Sequence, residues 1–355
     1  MNARIKWLRN QLSSLKLDGI IVSNPVNIRY LTGLNVEDSI FIIAPKENTL
    51  ITDGRYIEYV NRSLTISDEI VACNIKNLSK YDFECMFVMG ENIGIEEKFI
   101  TYETYKTYLQ TYQVDLSETE GIIENQRIVK DEEEIECIKK ACEITDKAFK
   151  YISQNIRKGM TEKQIAFEIE KFMLENGADG RAFDTIVASG RNSAMPHATP
   201  TDRKIVHGDI IQLDMGCKYN GYASDMSRVV FVGEIDEEYK KAYDFVLAQQ
   251  RTMANTLKDG ANIKQAVKDR ETEYKLKGYE VMHSFGHGVG LLVHEAPALR
   301  SQVDCILKEN SVITIEPGVY VPNSFGIRIE DTYHVTKNGC VALTNSTKNY
   351  LEIRN

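Results

Sequence analysis

Two acidic residues stand inside otherwise apolar, strand-like segments: Asp214 in Ile210-Ile211-Gln212-Leu213-Asp214-Met215, and Glu316 at the end of Val312-Ile313-Thr314-Ile315-Glu316. An ionised carboxylate in such a place costs several kcal/mol unless it is paired or bound to a metal. Around these segments the sequence repeats itself weakly at an offset of 101, pairing Gly159 with Gly260, Lys163-Gln164 with Lys264-Gln265 and Gly177 with Gly278. The helix holding Ala141 pairs with the one holding Ala242, and each repeat reads as helix, loop, helix, glycine, strands. The chain is therefore expected to form two like halves, each placing a carboxylate at the same strand position.

The acidic segments follow a first region of different pattern. From Arg4 to Leu17 apolar residues recur at helical spacing (Ile5, Leu8, Leu12, Leu15), and Gly19-Ile20-Ile21-Val22 then reads as a buried strand. Short apolar segments at Phe41–Ile43, Thr49–Thr52, Ile70–Ala72 and Ile93–Ile95 alternate with helical patterns at Tyr56–Val60 and Tyr102–Leu109. This predicts an α/β domain with a mixed sheet over residues 1–125. It holds no Gly-x-Gly-x-x-Gly and no phosphate loop, so no nucleotide site is expected there. Near residue 125 the pattern changes to a long acidic-then-basic helix running to about Ile156, which opens a second domain over 126–355.

Charge and cysteine usage narrow the class of function. Asp and Glu outnumber Lys and Arg by 52 to 43, a net −9, which argues against a nucleic-acid surface. The densest acidic run, Asp131-Glu132-Glu133-Glu134, is soon answered by Lys139 and Lys140, as on a solvated helix. The seven cysteines (Cys73, Cys85, Cys137, Cys142, Cys217, Cys305, Cys340) are odd in number and never spaced Cys-x-x-Cys. They are expected to be reduced, mostly buried thiols. No apolar run approaches the roughly 18 residues of a membrane span, and the charged N-terminus precedes no apolar h-region, so a cytoplasmic protein is expected.

The chemistry-bearing residues lie in the second domain. Asp225 follows Asp214 across a hairpin turn at Tyr219-Asn220-Gly221-Tyr222, and Glu330 follows Glu316 across Asn323-Ser324-Phe325-Gly326. Two hairpins that each present two carboxylates can converge on one point. Of only six histidines, His283, His287 and His294 fall within twelve residues, interleaved with Gly286, Gly288 and Gly290, which permit close backbone approach. Four carboxylates with one or two imidazoles suit Mn²⁺, Fe²⁺, Co²⁺ or Zn²⁺ in a two-metal centre, which makes a hydroxide at neutral pH and polarises a carbonyl. His207 and His334 read as structural, Tyr222 and Phe285 as packing residues, and Cys217 lacks a neighbouring base that would make it a nucleophile.

The sequence resembles the pita-bread metallopeptidases, the family of methionine aminopeptidase, Xaa-Pro aminopeptidase, prolidase and creatinase. The resemblance rests on Leu213-Asp214-Met215-Gly216, Tyr222 to Arg228, Gly286-His287-Gly288-Val289-Gly290, His294-Glu295-x-Pro297, Ile315-Glu316-Pro317-Gly318 and Gly326 to Asp331, in family order. It implies an α+β fold: a pita-bread catalytic domain with pseudo-twofold α/β halves, preceded by a smaller creatinase-type α/β domain. It implies two divalent ions, Mn²⁺ first, on Asp214, Asp225, His287, Glu316 and Glu330, with Asp225 and Glu330 between the ions. By the same matching, His197 and His294 contact the scissile carbonyl or the oxyanion, and His283 is a substrate-side histidine. Glu316 doubles as proton shuttle, and Arg328 pairs with a metal-binding carboxylate. Arg191 stands where relatives often carry proline.

The separate first domain resembles the prolyl peptidases and creatinase more than methionine aminopeptidases. The complete ligand set argues against metal-free creatinase chemistry and against an inactive binding protein on the same fold. The implied activity is hydrolysis of the N-terminal Xaa-Pro bond by a hydroxide activated between two ions, as in Xaa-Pro aminopeptidase, with Xaa-Pro dipeptidase (prolidase) as the alternative. The implied partners are a peptide with proline second and, as a homodimer, a second copy of the chain.

Overall fold

The computed structural model describes residues 3–45, 47–65, 69–77, 92–112 and 115–353. Cys85 lies outside them. They divide into two compact units, Met1–Gln126 and Arg127–Asn355.

The first unit is a six-stranded mixed sheet in the order Ile70–Asn74, Asn48–Thr52, Ile40–Ile43, Gly19–Val22, Asn92–Ile95, Asp115–Glu118. Gly19–Val22 is buried along its whole length, as its unbroken apolar run requires. The opening helix is Ala3–Ser14 and buries Ile5, Leu8 and Leu12. Leu15, expected on the same face, instead lies 51% exposed: Lys16 at φ 58° turns the chain, and Leu17 takes the buried position. Pro25–Thr32 begins with Pro at its first turn behind an Asn24 cap and ends at Gly33, whose φ of 76° favours glycine.

The second unit carries the internal repeat into three dimensions. Helices Glu132–Asn155 and Glu162–Glu175 pack on the sheet Glu352–Ile353, Met226–Val232, Ile210–Met215, Ile186–Ser189. Helices Glu237–Thr256 and Ile263–Lys277 pack on Glu295–Ala298, His287–Gly288, Val312–Ile315, Asp331–Thr336, Gly339–Ala342. The second helix of each pair starts on a side-chain cap: Thr161 Oγ1 accepts from Gln164 N and Asn262 Oδ1 from Gln265 N. The preceding loops match as well, since Gly159 N donates to Ile205 O and Gly260 N to Leu307 O, both at 2.9 Å. The Lys-Gln pairs that betrayed the repeat are therefore first-turn residues of equivalent helices.

Each half also holds an antiparallel pair of strands. Ile210–Met215 pairs with Met226–Val232, and Val312–Ile315 with Asp331–Thr336. The turn expected at Asn323–Gly326 is displaced, because Phe325 and Gly326 belong to the strand Phe325–Arg328 that pairs with Gly318–Val321. Of the described cysteines only Cys142 and Cys217 are fully buried, fewer than expected, and all are free thiols. No described helix is long and apolar enough to cross a membrane.

Because the two caps are equivalent, Thr161→Ala and Asn262→Ala should each lower stability by about 1 kcal/mol. Urea unfolding should show both midpoints falling at unchanged slope, with the double variant additive; a loss confined to one half would contradict the equivalence.

Candidate metal centre

The strand pairings bring the four carboxylates to one place. Asp214 is the penultimate residue of Ile210–Met215, and Asp225 immediately precedes the strand paired with it. Glu316 immediately follows Val312–Ile315, and Glu330 precedes Asp331–Thr336, so the Ile315–Asp331 register sets the two glutamates side by side. His287 comes from a two-residue strand between Glu295–Ala298 and Val312–Ile315. Its flanking glycines explain that fit: a Cβ on Gly286 would lie 2.1 Å from Thr314 O, and one on Gly288 2.1 Å from Ala296 O.

All nine residues singled out in the sequence line one cavity of about 740 Å³: His197, Asp214, Asp225, His283, His287, His294, Glu316, Arg328 and Glu330. Asp225, His287 and Glu330 each offer a ligand atom within 4.8 Å of the others. His287 Nδ1 faces Gly288 O at 3.1 Å, which turns Nε2 toward Asp225 Oδ2 and Glu316 Oε1, each 3.5 Å away. Burial and the neighbouring His294 hold its pKa down at about 4, so the ring is neutral and Nε2 presents a lone pair to the carboxylates. A lone pair facing two carboxylates is an arrangement that suits a cation.

Charge leads to the same conclusion. Burial, with Glu330 and Asp214 alongside, lifts Asp225 well above the ordinary carboxylate range, and burial next to Glu316 does the same to Glu330. Burial raises Glu316 to about 8, against the pull of Arg328. Asp214 Oδ1 and Glu330 Oε1 are buried without a hydrogen-bond partner among the described residues. Oxygen-rich donors, orphaned acceptors and a neutral imidazole fit hard or borderline divalent ions.

Arg328 fixes this cluster from behind. Its Nη2 donates to Asp214 Oδ2 at 2.6 Å, Nε to Ser227 Oγ at 2.9 Å and Nη1 to Tyr320 Oη at 2.6 Å. Tyr320 in turn donates to His283 Nε2 at 2.9 Å, while His283 Nδ1 donates to Ser284 O at 2.7 Å. Both ring nitrogens of His283 thus have partners inside the protein, on the wall of the same cavity. His197 and His294 are exposed at the cavity rim, and the His294 ring meets that of His287 edge-on at 4.3 Å.

The remaining expectations are simply placed. His207 lies outside the cavity with its ring against Gly233, and His334 Nε2 meets Asn310 Oδ1 at 2.9 Å. Phe285 packs edge-on to Tyr274, and Tyr222 Oη donates to Glu134. Burial raises the pKa of Cys217, so its thiol stays protonated. Arg191 is exposed in the 3₁₀ turn Gly190–Ala194. Reading the sequence missed Tyr320 and Gln212, whose Oε1 accepts from Arg328 N at 2.7 Å, and Arg300 on the cavity wall. It also missed that Glu295, quoted within a motif but given no role, is paired with the buried Arg127 and Lys130. Only a regular strand pattern marked Tyr320 and Gln212, and that pattern says nothing about side-chain partners.

With this geometry in place, residues 136–337 match metallopeptidase family M24, and residues 4–129 match the creatinase/prolidase N-terminal domain. The chain belongs to metallopeptidase family M24. The M24 chain is 33% identical to the Xaa-Pro dipeptidase of Pyrococcus furiosus, over 99% of this chain and 100% of the relative. It superposes on an Xaa-Pro dipeptidase from Bacillus anthracis with TM-score 0.92 at 33% identity, covering 99% of both chains. An X-Pro aminopeptidase from Thermotoga maritima gives TM-score 0.87 at 33% identity, covering 97% of this chain and all of that one. The creatinase-type domain ahead of a pita-bread domain is therefore the architecture of this M24 protein, and its family is one of divalent-metal peptidases.

Carboxyls lifted this far favour the folded metal-free chain at low pH, and that contribution is lost as pH rises through about 8 for Glu316. Divalent ions must displace those protons. Calorimetric loading with Mn²⁺ at pH 7, in buffers of different ionisation enthalpy, should therefore register release of about one proton or more per chain, with affinity rising toward pH 8. Proton-neutral binding would contradict the raised carboxyls.

Proposed function

We propose that this M24 chain removes the N-terminal residue from peptides with proline second, as an Xaa-Pro aminopeptidase. The observation that carries this reading is the buried cluster of four carboxylates and His287 in a cavity with room for more than a dipeptide, about 740 Å³. In this reading Asp214, Asp225, His287, Glu316 and Glu330 would hold two divalent ions, manganese first. Bound there, the ions supply a water acidified toward neutral pH and a Lewis acid for the scissile carbonyl.

The chain's own residues supply the rest. Glu316 is the proton carrier: it lines the cavity beside His287 Nε2, where a carboxylate can take a proton from water and pass it to the leaving nitrogen. His197 and His294, at the rim, are placed to donate to the carbonyl oxygen as it gains charge. Arg328, locked by Tyr320 and Ser227, keeps Asp214 in place with its second oxygen free.

One observation favours a second reading, Xaa-Pro dipeptidase. Arg300 lines the cavity near enough to act on Glu316, and a guanidinium there offers a partner to the free carboxylate of a dipeptide. The names of the full-length relatives include both activities. The manganese-loaded protein assayed in parallel on Ala-Pro and Ala-Pro-Ala separates them. Chelator-sensitive cleavage of the tripeptide is the expected result, cleavage of the dipeptide alone would establish the second reading, and cleavage of neither would overturn both. Glu316→Gln should lower kcat by about 10²-fold or more with ions bound; near-normal turnover would remove it as proton carrier.

A further inference from the structure

The two halves differ at one buried position in a way that their shared fold does not require. Glu162 and Ile263 each follow the capping residue of the equivalent helices, and both are fully buried at 0% exposure. Their backbones make the same contact, Glu162 N donating to Arg203 O at 3.2 Å and Ile263 N to Cys305 O at 3.1 Å. An apolar side chain therefore satisfies this place in the fold, and a carboxylate there carries a desolvation cost that isoleucine does not.

What the carboxylate does instead is hold a loop by both shoulders. Glu162 Oε1 accepts from Ser189 N at 2.7 Å, Ser189 Oγ at 2.6 Å and Asn192 Nδ2 at 3.1 Å. Glu162 Oε2 accepts from Thr201 N at 2.9 Å and Thr201 Oγ1 at 2.6 Å. Between these shoulders runs the segment 193–200, whose exposed His197 stands on the cavity rim. Inside the segment Arg328 Nη1 holds Pro196 O at 3.2 Å, and Gly326 N donates to Ser193 Oγ at 2.9 Å. The cavity side thus fixes the middle of the loop, and Glu162 fixes its two ends.

We infer that Glu162 is a positioning residue for the reaction: it sets the 189–201 loop so that His197 meets the substrate, and it acts through His197 without touching substrate itself. This inference rests on the peptidase reading above. A displacement of about 1 Å at a positioned group is enough to cost on the order of 10²-fold in rate.

The test is a double-mutant cycle on the manganese-loaded full chain with the better of the two peptides. Glu162→Gln keeps side-chain volume but turns an acceptor into a donor facing the loop's N–H groups. It should lower kcat/KM by about 10- to 100-fold while manganese stoichiometry and affinity stay at the wild-type value. Adding it to His197→Ala should produce no further loss, because the residue it positions is already gone. Independent, multiplicative losses in the double variant would overturn the inference, as would wild-type kcat/KM in Glu162→Gln. Where Glu162→Gln does not fold, Thr201→Val, which removes one hydroxyl donor to the same carboxylate, takes its place in the cycle: no further loss on top of His197→Ala supports the inference, and multiplicative losses overturn it. Amide hydrogen exchange separates this inference from the peptidase reading. Faster exchange confined to the 189–201 amides in Glu162→Gln supports the tether even if the wild type cleaves neither peptide, and unchanged exchange there overturns it whatever the activity.

Discussion

The burial of four carboxylates together in one site is the constraint on which the second unit depends. Asp214, Asp225, Glu316 and Glu330 are delivered by strand ends from two halves of the chain, and each is kept in place by the ladder it terminates. Burial first, with like charge alongside, disfavours their ionisation, which is why Asp225, Glu316 and Glu330 hold their protons above the ordinary range. On the proposed reading the same groups would hold divalent ions, whose binding would offset the energy of assembling like charges.

The surroundings turn that cluster into a rigid site. Arg328 places one positive charge behind Asp214, and the run from Arg328 through Tyr320 to His283 ends on the Ser284 carbonyl, so each donor has an acceptor. Arg228 does comparable work on the other face of the Glu330 strand, pairing with Asp331 and donating to the Glu330 carbonyl at 2.6 Å. At the rim, the loops bearing His197 and His294 are each held by a buried carboxylate, Glu162 for the first and Glu295, between Arg127 and Lys130, for the second. Arg328 joins the two regions, since it holds Asp214 and, through Pro196 O, the middle of the His197 loop.

Much of this was legible in the sequence, for reasons that differ from residue to residue. Asp214 and Glu316 stood out because ionised groups in apolar strands violate the ordinary pattern, and the repeat aligned them; the structure places both in one cavity with the glycine-spaced histidines. Five of the six strands of the first unit were visible as short apolar runs between helical patterns; Asp115–Glu118, with no such run, was not, and Leu15 misled because helical spacing continued past the point where Lys16 turns the chain. Tyr320, Gln212 and Glu162 were not legible. Tyr320 and Gln212 sit in regular strands and Glu162 at a helix start, and what matters about Gln212 and Glu162 lies in partners more than 25 residues distant, Arg328 for the first and Thr201 for the second. His283 was legible as part of the cavity wall, but its tie to Tyr320 was not, since only three-dimensional placement brings the two side chains together.

The central claim is that the buried carboxylates and His287 together hold two divalent ions. Anomalous diffraction from a manganese-loaded crystal tests it most directly. The account predicts two anomalous peaks per chain inside the cavity, both among Asp214, Asp225, His287, Glu316 and Glu330. No peak among these residues, or ions bound only elsewhere on the surface, would contradict it.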